Sequence, residues 1–225
     1  YSLVLLLMIA LPGHTAVAQD YSVPDNTPAH IKRAVESDAR NTEATARDAG
    51  RLPAQVLTLA DLNEGDHVAE ITTFGQYYTP MLVEAVGPTG KVEMYDMPYL
   101  AAFGDGNVGV AGQAFADERV NAEYHIVDYS NLSLPSGLDA VYNILYYHDL
   151  QGVEVDTAVM NSKIFAALKP GGKYVIVDHL AEDGSGWRDT TTIHRIGKEA
   201  IVNEISAAGF NLIVDSNILA NPEDD

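Results

Sequence analysis

Three histidines and two aspartates carry the sharpest chemical signal in the chain: His148-Asp149, Asp178-His179 and, on the loop that follows, His194. The two pairs stand where apolar runs end. If those runs are neighbouring strands, about 5 Å apart, all five side chains converge on one rim. An imidazole there can take a proton from a substrate hydroxyl or amine, with a carboxylate to orient it. The same groups offer two or three nitrogen and oxygen ligands to a divalent metal. A hydrogen-bonded polar rim without chemistry is the third option. Base catalysis by His148 or His194 is the reading carried forward, and no metal is assigned.

The elements that must position these residues alternate between two periodicities. Helical patterns cover 29–37 and 42–59, the second broken or restarted at Pro53. A first strand is expected over 67–71, a helix over 78–86, and strands over 91–96, 122–127 and 138–145. A helix over 155–168 then stops at Lys169-Pro170-Gly171-Gly172, where the glycines supply the turn and residues 173–178 form a strand. A helix over 198–208 and a strand over 210–215 follow. The glycines at 104, 106, 109 and 112 make residues 98–119 a loop leading into a short helix. Strands alternating with helices imply an α/β fold, a doubly wound and mostly parallel sheet.

In such a sheet the ligand lies beyond the carboxyl ends of the strands. That rule adds Glu70, Thr72, Thr73, Phe74, Gly75 and Gln76 after the first strand, Asp96 and Met97 after the second, and Asp128 and Tyr129 after the third. Tyr77, Tyr78 and Tyr147 could wall a planar substrate. Trp187 sits in a polar, glycine-containing loop whose commoner role is solvation. His67 and His125 fall inside strands, where packing or solvent contact is expected.

The order of elements, closed by Leu168-Lys169-Pro170-Gly171-Gly172, resembles the class I S-adenosylmethionine-dependent methyltransferases over Val56 to Asp215. It is most similar to a group of exported, predicted methyltransferases of unknown substrate. They share the words Tyr-His-Asp-Leu, Val-Asp-His and His-Arg-Ile, here at Tyr147 to Leu150, Val177 to His179 and His194 to Ile196. The resemblance implies a Rossmann-like fold with S-adenosylmethionine as cofactor. Glu70, Thr72 and Gly75 would form the cofactor loop, Asp96 would accept from the ribose hydroxyls, and Asp128 would follow the third strand. His148 and His194 would deprotonate or orient a small-molecule acceptor. The loop departs from the family in having one glycine instead of two or three, so Thr72, Thr73 and Phe74 place β-carbons near the cofactor's amino-acid end. A non-catalytic binding protein with a degenerate cofactor loop is therefore the alternative function. A metal-assisted hydrolase is disfavoured by the lack of a dense ligand motif. The resemblance also implies a further antiparallel strand, so the sequence is expected to stop short of it.

Composition bounds the partners. The chain has 225 residues, 32 acidic and 13 basic side chains, a formal net charge of -19 and no cysteine. Disulfides and thiolate metal sites are excluded, and phosphate backbones and anionic membrane surfaces are disfavoured. Tyr1 to Leu11 is almost wholly apolar, and Ala16-Val17-Ala18 before Gln19 has the small-x-small form of a signal-peptidase site. The first 18 residues are thus expected to be an export signal, cut short at its start because Met and a basic segment are missing. Residues 19–225 are expected to form one methyltransferase-like domain with a helical N-terminal arm, periplasmic or secreted.

Overall fold

The computed structural model describes residues 1–8 and 21–221. It contains seven strands: β1 (Ser2–Met8), β2 (His67–Ile71), β3 (Lys91–Asp96), β4 (Ala122–Ile126), β5 (Leu138–Ile144), β6 (Leu168–His179) and β7 (Asn211–Leu219). The helices that concern the sites are α1 (Ala29–Val35), α2 (Pro53–Leu59), α3 (Thr79–Val86), α4 (Asn107–Asp117), α5 (Thr157–Ala167) and α6 (Lys198–Ala207). The chain divides into two compact units, residues 13–126 and residues 1–12 with 127–225.

In the first unit β3 lies between β2 and β4, both pairings parallel, from His67 beside Lys91 to Asp96 beside Ile126. The valines, Ala69, Ile71, Met94 and Tyr95 of β2 and β3 are buried, as strands covered on both faces require. α3 opens with Pro80 in its first turn, where the missing N–H is no loss, and buries Met81, Leu82, Ala85 and Val86. α4 packs on β4 so closely that a Cβ on Gly112 would lie 2.6 Å from the Tyr124 ring. Glycine is needed there to let Tyr124 lie flat beneath the helix.

The expected helix over 42–59 is three pieces. Single turns at Thr42–Thr45 and Asp48–Arg51 precede α2, and Leu52, in the left-handed region at φ 41°, makes the break before Pro53. A buried ion pair holds these pieces. Arg40 meets Asp48 through two bonds of 2.8 and 2.6 Å, donates to the Val35 carbonyl at 2.7 Å, and Tyr77 donates to Asp48 at 2.6 Å.

In the second unit the order is β5, β6, β1, β7, all parallel. β1 comes from the apolar stretch expected to direct export. Ser2 to Met8 pairs residue for residue with Lys173 to His179, and Leu3, Val4 and Leu5 are fully buried. The ring of Tyr1 packs 4.0 Å from that of Phe165. Ala16, Val17 and Ala18 lie outside the described residues. Asp156 caps α5 by accepting from the Val159 N–H, and the helix ends at Ala167, one residue before the expected stop. β6 begins at Leu168 instead of Lys173: Leu168 pairs with Leu138 and Lys173 with Ala140, so the Lys-Pro-Gly-Gly turn is a bulge carried within the strand. Among the described residues no helix is long and apolar enough to cross a membrane.

Arg40→Ala should cost about 3–5 kcal/mol of stability, the range for removing one partner of a buried ion pair. Urea unfolding of parent and variant measures it, and a loss below about 1 kcal/mol would place the pair among surface-like contacts.

Candidate functional site

β3 ends inside the first unit at a cavity of about 390 Å³. Thr73, Gly75, Gln76, Tyr77 and Asp96 form its strand-end wall, Arg40, Asn41 and Ala44 a second side, and Asn107, Val108 and Ala111 of α4 a third. Asp96 is almost fully buried. Its Oδ2 accepts from Thr73 Oγ1 at 3.0 Å and Tyr124 OH at 2.9 Å, while Oδ1 makes no well-formed hydrogen bond. Burial raises the Asp96 pKa and the two hydroxyls oppose the rise. The backbone N–H groups of Thr73 and Phe74 also oppose the rise. Arg40 Nε, on the same lining, makes no well-formed hydrogen bond.

The loop after β2 is held against β3, with the Thr72 and Thr73 N–H groups both donating to the Tyr95 carbonyl at 2.8 and 3.2 Å. Thr72, Gly75 and Gln76 have φ of 69°, 75° and 46°. Only the glycine adopts this conformation without strain. Glu70 does not line the cavity: Thr79 Oγ1 bonds its Oε2 at 2.6 Å, and burial pushes its pKa up to about 8. It is a neutral, buried acid near pH 7. Thr72 is likewise absent from the wall, and acts through the backbone it bends.

Asp128 belongs to the second unit. It is exposed, and its Oδ1 accepts from the Ser130 N–H at 2.8 Å, capping the turn at Tyr129–Asn131.

The histidine and aspartate rim forms within that second unit. His148 sits on the short turn Tyr147–Asp149 that follows β5, and Asp178 near the end of β6. Asp178, fully buried, takes the His148 N–H on Oδ2 at 2.8 Å, and on Oδ1 the His179 N–H at 2.8 Å and His148 Nδ1 at 2.5 Å. Nδ1 is thereby fixed as a donor and Nε2 remains for chemistry. Burial works against a charged His148, but the bond and charge of Asp178, with Asp149 adding, outweigh it and raise its pKa above the ordinary histidine value. Asp149 Oδ1 lies 3.5 Å from His148 Nε2 and 2.8 Å from His194 Nδ1. His194 reaches it from a left-handed residue at φ 54°, on a loop tied to β6 by the Ile196 N–H to the His179 carbonyl at 2.9 Å. His148, Asp149 and His194 each offer a ligand atom within 4.8 Å of the others, so the rim has the donors for a cation as well as a base. His179 faces His148 with ring centres 5.7 Å apart.

No protein-family model matches the chain, and no curated protein matches it. Solved structures do. A SAM dependent methyltransferase from Aquifex aeolicus matches with a TM-score of 0.55 and 21% identity, over 80% of this chain and 86% of that one. An S-adenosylmethionine dependent methyltransferase from Mesorhizobium loti matches at 0.53 and 18%, over 72% and 81%. The fold is that of the class I S-adenosylmethionine-dependent methyltransferases. The cyclase SpnF shares it too, at 0.56 and 19% over 77% of this chain and 60% of that one. A methyltransferase fold therefore leaves the reaction to be argued from the site.

Several residues on this methyltransferase fold escaped sequence reasoning. Arg40, Asn41, Asn107 and Ala111 line the cavity from helical segments whose polar residues look like ordinary solvent faces. Tyr77 was expected as an aromatic wall, and it does line the cavity, but its hydroxyl is committed to Asp48. Tyr147 is buried, bonded to Asn161 and Glu204 at 2.8 Å each, and stacked on Trp187 at 5.9 Å. That stacking anchors the loop that looked merely solvated. Arg195, next to His194, donates to the Leu180 carbonyl at 3.0 Å.

Asp178→Asn removes the charge that raises the His148 pKa and leaves the burial that lowers it. The His148 midpoint, followed by NMR of the imidazole protons, should fall. An unchanged midpoint would show that Asp178 does not hold the proton.

Proposed function

We propose that the protein transfers a methyl group from S-adenosylmethionine to a small-molecule acceptor. One observation carries this reading: on a methyltransferase fold, the buried acid that ends β3, Asp96, lines a cavity of about 390 Å³. A ribose diol is a donor set that such a carboxylate can accept. Thr73, Gly75 and Gln76 would cover the same ligand, and Glu70 would act through the start of α3, which it braces at Thr79. When bound, S-adenosylmethionine supplies a methyl group on a positively charged sulfur. His148 Nε2 would take the proton of the acceptor's O–H or N–H, leaving the heteroatom free to accept the methyl group. Asp178 holds the tautomer that makes this possible, and His194 with Asp149 orients the acceptor. The reaction depends on positioning more than on covalent chemistry.

Ala16-Val17-Ala18 supports placing this activity outside the cytoplasm, whereas residues 2–8, which cleavage there would remove, pair as β1 in the second unit; the charge of -19 favours a small acceptor over nucleic acid. A second reading rests on Thr72 and Gln76, which hold glycine-like conformations with side chains attached. It is a binding protein that keeps the cavity without turnover.

Calorimetric titration with adenosylhomocysteine separates these. The parent should bind, and Asp96→Ala should weaken binding by about 1.5–3 kcal/mol, roughly 10- to 150-fold. No binding by the parent would overturn the cofactor assignment. Once an acceptor is found, activity should rise with pH through the raised His148 midpoint, because the base must lose its proton first, and His148→Ala should lower it about 10²–10⁴-fold. Tight binding with no turnover of any acceptor, or full activity in His148→Ala, would favour the second reading or another base.

A further inference from the structure

A second cluster of ligating side chains lies in the first unit, and the proposed reaction has no use for it. Glu93, at the middle of β3, is nearly fully buried and takes three cationic or imidazole groups on its two oxygens. His67 Nε2 of β2 is 2.7 Å from Oε1, Lys91 Nζ 2.8 Å from the same oxygen, and His125 Nε2 of β4 2.8 Å from Oε2. Glu123 joins from β4, 2.7 Å from Lys91 Nζ and 4.0 Å from His125 Nε2. The register makes this happen. Lys91 sits beside His67, Glu93 beside Glu123, and Tyr95 beside His125, so alternate residues of three parallel strands share one face.

We propose that Glu93, Glu123 and His125 form a binding site for a divalent transition-metal ion of the zinc class, bracing the three strands of the first unit. Each offers one ligand atom, and the three atoms lie within 4.8 Å of one another. One imidazole nitrogen and two carboxylate oxygens are a donor set suited to zinc, with a fourth position left for water. Metal–ligand bonds of about 2.0–2.2 Å in tetrahedral array hold ligand atoms more than about 3 Å apart, so the 2.8 Å contact of His125 with Glu93 opens slightly and Glu123, 4.0 Å from His125, moves in. Glu123 is exposed and His125 half-buried, so both have room to adjust. The His125 ring is stacked on Tyr95 at 4.6 Å, so it is held in plane with Nε2 directed at Glu93. His67, bonded to the other Glu93 oxygen, is the outer partner that fixes the carboxylate's orientation. The Lys91 ammonium already bridges the two carboxylates as a single charge. A divalent ion supplies two charges at the same place and displaces a flexible, part-exposed side chain. Lys91 is therefore the competitor for this site and not a member of it.

The competition gives the test. Zinc is titrated calorimetrically into the untagged full chain carrying Asp149→Ala, which removes the carboxylate shared by the other His/Asp cluster. One ion should bind. Adding His125→Ala should weaken it at least tenfold, whereas adding Lys91→Ala should tighten it severalfold. Thermal melting with and without zinc provides the second reading: the ion should raise the melting temperature of the Asp149→Ala protein and leave that of the His125→Ala form unchanged. Equal affinity with and without His125, or weaker binding on loss of Lys91, would overturn the site.

Discussion

A carboxylate carried to the buried end of a parallel strand must find hydrogen-bond donors, and Asp96 and Asp178 answer that constraint in opposite ways. Asp178 is saturated. Two backbone N–H groups and one imidazole fill its oxygens, so it locks the turn after β5 to the end of β6 and fixes which nitrogen of His148 carries a proton. Asp96 is left half-satisfied, with Thr73 and Tyr124 on one oxygen and nothing well formed on the other. Asp178 thereby ties two strand ends together, whereas Asp96 is held chiefly by side-chain hydroxyls.

The cavity also shows how little net charge says about a local surface. The chain carries -19, yet three guanidinium groups gather over the Tyr77 ring, Arg51 at 4.5 Å, Arg47 at 5.1 Å and Arg40 at 5.4 Å. Arg40 is neutralised by Asp48, and burial lowers the pKa of Arg51 with Arg47 adding to the effect. The short helical segments before α2 thus gather positive groups on one aromatic ring in a chain that is acidic as a whole. Screening confines the influence of the other charges to about 8–10 Å in physiological salt, so such local groupings are set by near neighbours.

Strands β2 to β5 and the strand-end acids were legible because parallel strands buried on both faces write long apolar runs that stop at a polar residue. His148, Asp178 and His194 could be grouped on that basis alone. The β6 bulge was hidden because Lys-Pro-Gly-Gly is a turn by local rules, and only pairing with Leu138 and Ala140 extends the strand through it. β1 was hidden for a related reason. A leucine-rich run reads alike as an export segment and as a covered strand, and its partners, Lys173 to His179 and Asn211 to Leu219, lie far along the chain. Glu93 with its two histidines was missed because the three residues meet only through cross-strand register, which no spacing within one strand encodes.

Thr72 deserves a last thought for what it says about motifs. A β-branched residue at φ 69° carries a conformational cost of about 1–2 kcal/mol, and two hydrogen bonds to the Tyr95 carbonyl keep the loop in that shape regardless. Gln76 at φ 46° repeats the pattern four residues later. The turn is held here with side chains at positions that glycine would occupy without strain. A signature spelled in letters passes over such a chain, whereas one spelled in dihedral angles finds it.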